Sequence, residues 1–255
     1  RELLLNTLNR FLHGRKASTF INRLFVVDAF RFLNERCPQT DAIIEELNNL
    51  QSDEGTWRKN HEHYVPTTAQ VLTFYKYVGI KPLGALTPFF ERIDTWQKVL
   101  THNEKYQPGN LWGGLWGYIG CYVALGIRPP WAQEFIEYAE LKFEEWVFDN
   151  HQRSHAVISL FQLKAPISRV DELIDITLKD QKLDGRWTAK GWSPSVPQTA
   201  FGVITLKLLD EKNTVNVNDS IERGLNFIEQ CFAIEHWKGG EYGGYTEEIE
   251  GKNFD

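Results

Sequence analysis

Methionine is absent from this chain, and cysteine is scarce: Cys37, Cys121 and Cys231 lie far apart, with no C-x-x-C pair. Cysteines placed this way build no disulfide framework, so a reducing compartment is the default and the cytoplasm the expected location. A cytosolic protein of 255 residues rarely lacks methionine. One lost between two motifs would shift their spacing by a single residue. No apolar run reaches about 18 residues, which leaves no candidate for a membrane-spanning helix; peripheral contact with a membrane stays open. No signal peptide opens the chain, and no segment shows a convincing strand pattern. A basic stripe is missing as well. With a net charge of −6 and a pI of about 5.7, nucleic acid is not an expected partner.

What the chain does contain is a repeat. Gln51, Gly55 and Trp57 form Q-x-x-x-G-x-W, followed by V-P-x-T-A at Val65, Pro66, Thr68 and Ala69. The first motif returns 130 positions on, from Gln51 to Gln181, with Gly185 and Trp187. The second returns 131 positions on, from Pro66 to Pro197, with Val196, Thr199 and Ala200. Two composite motifs at matching separations mark a repeat protein. In each, glycine supplies a positive φ for the turn, the indole packs back, and the glutamine amide is free to bond exposed backbone groups. Proline beside threonine then starts the next helix.

Hydrophobic patterning gives helices of two kinds. Residues 1–12, 40–50, 86–100, 130–148, 167–179 and 217–232 carry an apolar face at i, i+3, i+4, i+7. Residues 20–35, 66–78, 114–125, 154–163 and 197–209 are apolar nearly all round and read as buried. The breaks after 78 and 125 echo each other as Gly79-Ile80-Lys81-Pro82 and Gly126-Ile127-Arg128-Pro129. Alternating half-exposed and buried helices do not suit a two-layer bundle. The expected fold is all-α: an α/α toroid of about five to six helix pairs, forming one domain over 1–255 and open or truncated at its C-terminal end.

At this point the residues resemble a known family. Q-x-x-x-G-x-W after an outer helix resembles the repeat of squalene–hopene cyclases and terpene cyclases, shared more loosely with protein prenyltransferase β subunits. The stretch DQKLDGRWTAKGW, followed by PQTAFGVITLKL, looks like one such repeat, and GLNFIEQ at 224–230 like the start of another. The resemblance implies an aromatic-lined central cavity for an isoprenoid chain, and a proton donor or a zinc ion for chemistry. The cyclase D-x-D-D string is absent. The transferase zinc set needs an Asp two residues before a Cys, yet Ile119 stands two before Cys121. No metal and no cofactor are therefore expected.

Candidate site residues follow from which segments lead into the apolar helices. Asn60-His61-Glu62-His63-Tyr64 precedes Pro66; H-E-H is a metal pattern of weak i, i+2 geometry set against a plain solvated loop, with Glu62 and His63 as the catalytic candidates and Tyr64 a binding candidate. Trp112, Trp116, Tyr118 and Tyr122 lie in the glycine-rich stretch from 110, where they either floor an apolar pocket or pack helices. His151, Arg153 and His155 at a helix start either receive an anion such as a diphosphate or serve an ordinary cap. Trp192, Tyr242 and Tyr245 belong to the same expected rim. Asp28, inside LFVVDAFRFL, is a carboxylate in apolar surroundings: a general acid with a raised pKa, or the ionic partner of Arg31 or another helix.

The expected ligand is thus a small apolar isoprenoid, handled by a cyclase-like or transferase-like protein. A carbohydrate-active α/α barrel, with Glu62 and Glu241 as its carboxyl pair, and a non-catalytic scaffold relative are the alternatives. Oligomeric state is not legible in the sequence.

Overall fold

The computed structural model describes residues 40–53, 55–57, 64–81, 86–106, 110–188, 195–210, 215–233, 237–239, 245–249 and 252–253. The chain is helical: α1 (Thr40–Leu50), α2 (Tyr64–Val78), α3 (Thr87–Glu91), α4 (Trp96–Tyr106), α5 (Leu111–Ala124), α6 (Ala132–Leu141), α7 (Phe143–Trp146), α8 (Asn150–Gln162), α9 (Val170–Asp180), α10 (Ser195–Leu209) and α11 (Val215–Ala233). Two compact units, 1–135 and 136–255, divide it within α6. In the first unit the apolar helices α2 and α5 pack on each other, with α4 against α5. In the second, α10 packs against α8, α9 and α11. The expected apolar helix at 20–35 and the one at 1–12 lie outside the described residues.

Two expected helices are each split, for a reason visible in side-chain hydrogen bonds. The carbonyl of Ile93, between α3 and α4, accepts the Trp131 indole N–H at 2.6 Å and the Tyr122 hydroxyl at 3.3 Å. In the last turn of α6, the Ala139 carbonyl accepts the Trp146 indole N–H at 2.9 Å. A carbonyl claimed by a buried indole is drawn out of the regular ladder, and the helix restarts. The described residues are all-α apart from one short antiparallel sheet near the C-terminal end. β1 (Trp237–Gly239), β2 (Tyr245–Ile249) and β3 (Lys252–Asn253) pair antiparallel in the order β1-β2-β3, with Lys238 opposite Thr246 and Ile249 opposite Lys252. Glycine-rich sequence between short runs hides this alternation from a helix-period reading.

The repeated motifs adopt one geometry twice. Trp57 and Trp187 are fully buried. Each indole N–H donates to a carbonyl ten residues back, Leu47 or Thr177, at 2.8 Å in both cases. Each Trp backbone N–H donates to the threonine hydroxyl of V-P-x-T-A, Thr68 or Thr199, at 3.1 Å in both. The glutamine amides of Gln51 and Gln181 donate to the carbonyls of Gly55 and Gly185 at 3.1 and 2.9 Å. Both glycines have positive φ, 77° and 92°. Gln181 also reaches α11: its amide donates to the Ser220 carbonyl, and its Oε1 accepts from the Ser220 hydroxyl and from Arg223. The motif therefore closes the end of an amphipathic helix onto the start of an apolar one.

The apolar helices also end alike. Past α2, Gly79 (φ 76°) donates to Lys76 O and Ile80 to Tyr75 O; past α5, Gly126 (φ 74°) donates to Val123 O and Ile127 to Tyr122 O. This paired bonding is the Schellman cap. Past α8 the same pair of bonds forms from Lys164 and Ala165, and Lys164 has φ 54°. A left-handed lysine there is strained where glycine would not be. Lys164→Gly should raise stability by roughly 0.5–1 kcal/mol, read from the urea midpoint of the full chain.

Candidate functional site

The four apolar helices α2, α5, α8 and α10 contain no aspartate or glutamate. α2, α5 and α10 pack on neighbours through most of their circumference, yet each leaves one stripe partly uncovered. On α2 that stripe is Gln70, Thr73 and Tyr77; on α5 it is Trp116, Gly120 and Val123. On α10 it runs through Ala200, Phe201, Ile204 and Leu208. These i, i+3, i+4, i+7 spacings are those of a single helix face.

Of the aromatic candidates on α5, only Trp116 keeps appreciable exposure. Asn110 caps the helix by accepting from Gly113 N at 3.3 Å. Trp112 is buried against Phe135, with ring centroids 6.2 Å apart. The fully buried Tyr118 hydroxyl lies 2.6 Å from His102 Nδ1, and Tyr122 packs edge-on against Phe90 at 4.7 Å while bonding Ile93 O. Burial pushes the Tyr122 phenol up to about 12, so it stays neutral. Trp112, Tyr118 and Tyr122 thus belong to the packing that supports the stripe, because their spacing turns them toward α3, α4 and α6.

The anion reading of the α8 start needs correction. That helix end already holds a carboxylate: Asp149 is the N-cap and accepts from Gln152 N at 3.0 Å. Arg153 is wholly buried and committed to Asp180 at 2.6 Å, Val147 O at 2.5 Å and Asn150 Oδ1 at 3.4 Å. His151 and His155 stack edge-on with centroids 4.2 Å apart, and both lie against Phe201, at 5.8 and 4.8 Å. Gln198 of α10 meets His151 Nδ1 at 3.3 Å and accepts from Asn150. One turn on, Thr205 donates to the Ser154 hydroxyl at 2.8 Å. The contacts advance together along both helices, so α8 and α10 run parallel with a polar seam between them.

Desolvation lowers the pKa of His151, partly offset by Asp149. It holds His155 well below 6.5, with His151 adding to the effect. Both are therefore neutral, and a proton is bound more readily by the unfolded chain. Stability is full above the ordinary histidine value of 6.5 and falls as pH drops below it, by up to about 1.4 kcal/mol per pH unit for each histidine. The thermal midpoint should decline on that side of neutrality, and His155→Phe should flatten the decline.

Gln198 is the residue the motif reading passed over. It fills the x of V-P-x-T-A, where the first repeat has Thr67, and both side chains are buried. That difference between otherwise matching repeats was the available signal. Asp28, Glu62, His63, Trp192 and Tyr242 lie outside the described residues. Tyr64 begins α2 and Tyr245 begins β2, each described by its backbone. Among the described residues no cluster of three or more His, Cys, Asp or Glu could hold a metal. Cys121 is buried and points to Val65 O at 3.7 Å, with its thiol pushed up by burial. No known protein-family model, curated protein or solved structure matches this chain.

Proposed function

We propose that the apolar helices form the wall of an isoprenoid-binding site in an α/α toroid of the cyclase or prenyltransferase kind. The observation that carries this reading is the uncovered stripe on α2, α5 and α10, apolar or aromatic on α5 and α10 and free of carboxylates on all three. A chain with 34 acidic residues that keeps every one of them off these helices preserves an environment suited to hydrocarbon. Trp116 and Tyr77 add ring faces, which favour both apolar contact and positive charge. The described part of the stripe offers no proton donor, so binding is the role assigned to it. Turnover, in this reading, rests on Asp28. Asp28→Asn should then abolish turnover of a prenyl substrate while leaving binding intact.

The test is equilibrium binding of a fluorescent farnesyl analogue to the full chain. Ile204→Glu and Trp116→Ala should each weaken binding at least about tenfold, since a charge or a lost ring face in an apolar site costs more than 1.4 kcal/mol. Both should retain the helical circular-dichroism signal. Absence of binding by the wild type, or variants that bind as it does, would remove the proposal.

A further inference from the structure

Leu141 and Phe148 are 78% and 68% exposed, more than any other large hydrophobic side chain among the described residues except Leu183. Both belong to the second unit, 136–255. They lie on the stretch that runs from the end of α6 through α7 to Asp149, the cap of α8. This stretch has two faces. Ala139, Phe143, Trp146 and Val147, at i, i+4, i+7 and i+8, are buried. Glu137, Glu140, Leu141, Glu144, Glu145 and Phe148 are exposed between them. The helical turn holds across the junction, because Lys142 N donates to Tyr138 O and Val147 N to Phe143 O. Leu141 and Phe148, seven residues apart, therefore share the outward face.

Charge decides what can cover that face. Residues 136–149 carry five carboxylates and one cation, Lys142, a balance of −4 in a chain whose total is −6. A second copy laid on it by a two-fold axis would bring like charges together. An anionic bilayer surface or a nucleic acid would be repelled, and among the described residues no helix is long and apolar enough to cross a membrane. Arg169 shows which cation this surface holds. Its guanidinium lies 3.7 Å from the centre of the Phe143 ring and pairs with Glu144 at 3.1 Å and Glu172 at 2.6 Å. The adjoining Ser168 hydroxyl donates to Glu140. A ring flanked by carboxylates suits a planar cation. Phe148 offers the same combination further along, with its ring exposed and Glu144 and Glu145 four and three residues before it.

We propose that this face docks a basic amphipathic helix of another protein. Apolar side chains of the partner cover Leu141, and its arginines stack on Phe148 while pairing with Glu144 and Glu145. The existing Lys142–Glu145 pair is open to water on both sides, so it gives way at little cost. Apolar contact at the centre supplies affinity, and the rim of glutamates sets the sign of the partner and speeds encounter. This inference does not depend on the isoprenoid reading.

The experiment is fluorescence anisotropy of the full chain with a fluorescein-labelled peptide of leucine and arginine in amphipathic helical spacing. A second peptide has serine in place of every leucine. The first should bind, more weakly as salt is raised, and the second should bind at least about tenfold more weakly. Leu141→Ser and Phe148→Ser should each lose about fivefold or more while keeping the wild-type thermal midpoint, since both side chains are exposed. Glu145→Gln should weaken binding and flatten its dependence on salt. Leu225→Ser, an exposed leucine on α11, should bind as the wild type does. The proposal is overturned if neither peptide binds, or if both bind equally, which would leave charge alone. It is also overturned if Leu225→Ser loses as much as Phe148→Ser, or if the free chain self-associates in a way that Phe148→Ser abolishes, which would make a second copy the occupant.

Discussion

Trp187→Ala is expected to lower stability by about 3–5 kcal/mol, a large part of what holds a domain of this kind folded. The indole is completely buried, and its N–H satisfies Thr177 O at the end of α9. Its surroundings cannot collapse into the space it would leave. A Cβ at Gly202 would stand 2.5 Å from the ring and one at Gly224 2.8 Å, so at these two positions α10 and α11 bring bare backbone against the indole, with Leu206 and Val217 in the same core cluster. Thr177 O would also lose its donor, at a penalty of about 1–3 kcal/mol if water cannot replace it. Trp187→Phe keeps most of the volume and should lose about half as much. Urea unfolding of the three proteins provides the check. A loss under about 1 kcal/mol for the alanine variant would mean the motif is a turn signal without a packing role. Trp57→Ala should behave alike, through Leu47 O.

The bridge between Arg153 and Asp180 should respond unequally to loss of either member. The guanidinium side chain is fully buried, while the carboxylate side chain is 37% exposed. Asp180→Ala leaves a buried cation without its counter-ion, at an expected cost of about 3–5 kcal/mol. Arg153→Leu leaves a carboxylate that can turn to water, and removes the donor of Val147 O; about 1–2 kcal/mol is expected. Burial dominates the downward pull on the Arg153 pKa, and Asp180 opposes it, which agrees in sign with this asymmetry. Equal losses from the two substitutions would show that packing of the arginine stem, and not its charge, is what the seam needs.

The helices and the repeat were legible because both depend on local pattern. Residues 40–50 and the end of the apolar run at Val78 could be read from periodicity and from Gly79. The equivalence of Trp57 and Trp187 was written in their shared spacing to glutamine, glycine and threonine. Long-range partners were not legible. Nothing near Ile93 announces that Tyr122 and Trp131 will claim its carbonyl and break a helix there. Arg153 reads as an anion receptor until Asp180, 27 residues on, is seen beside it. The polar seam was half visible: the histidines stood out, while Gln198 passed as a variable position. A motif states what a turn requires, and a partner across an interface leaves no mark at that spacing.

The forward reach of Gln181 bears on how the chain is made. Its carboxamide closes the turn at Gly185 while also gripping Ser220 and Arg223, 39 and 42 residues later. On a ribosome adding about 5–20 residues per second, that turn emerges roughly 2–8 s before the residues that complete it. For that interval the junction of α9 and α10 holds Trp187 without the backbone of Gly224 behind it. The second unit is therefore completed only when its C-terminal side arrives, and its last long helix is the latch. A nascent chain arrested before Ser220 should expose the indole to fluorescence quenchers, and release past Arg223 should shield it.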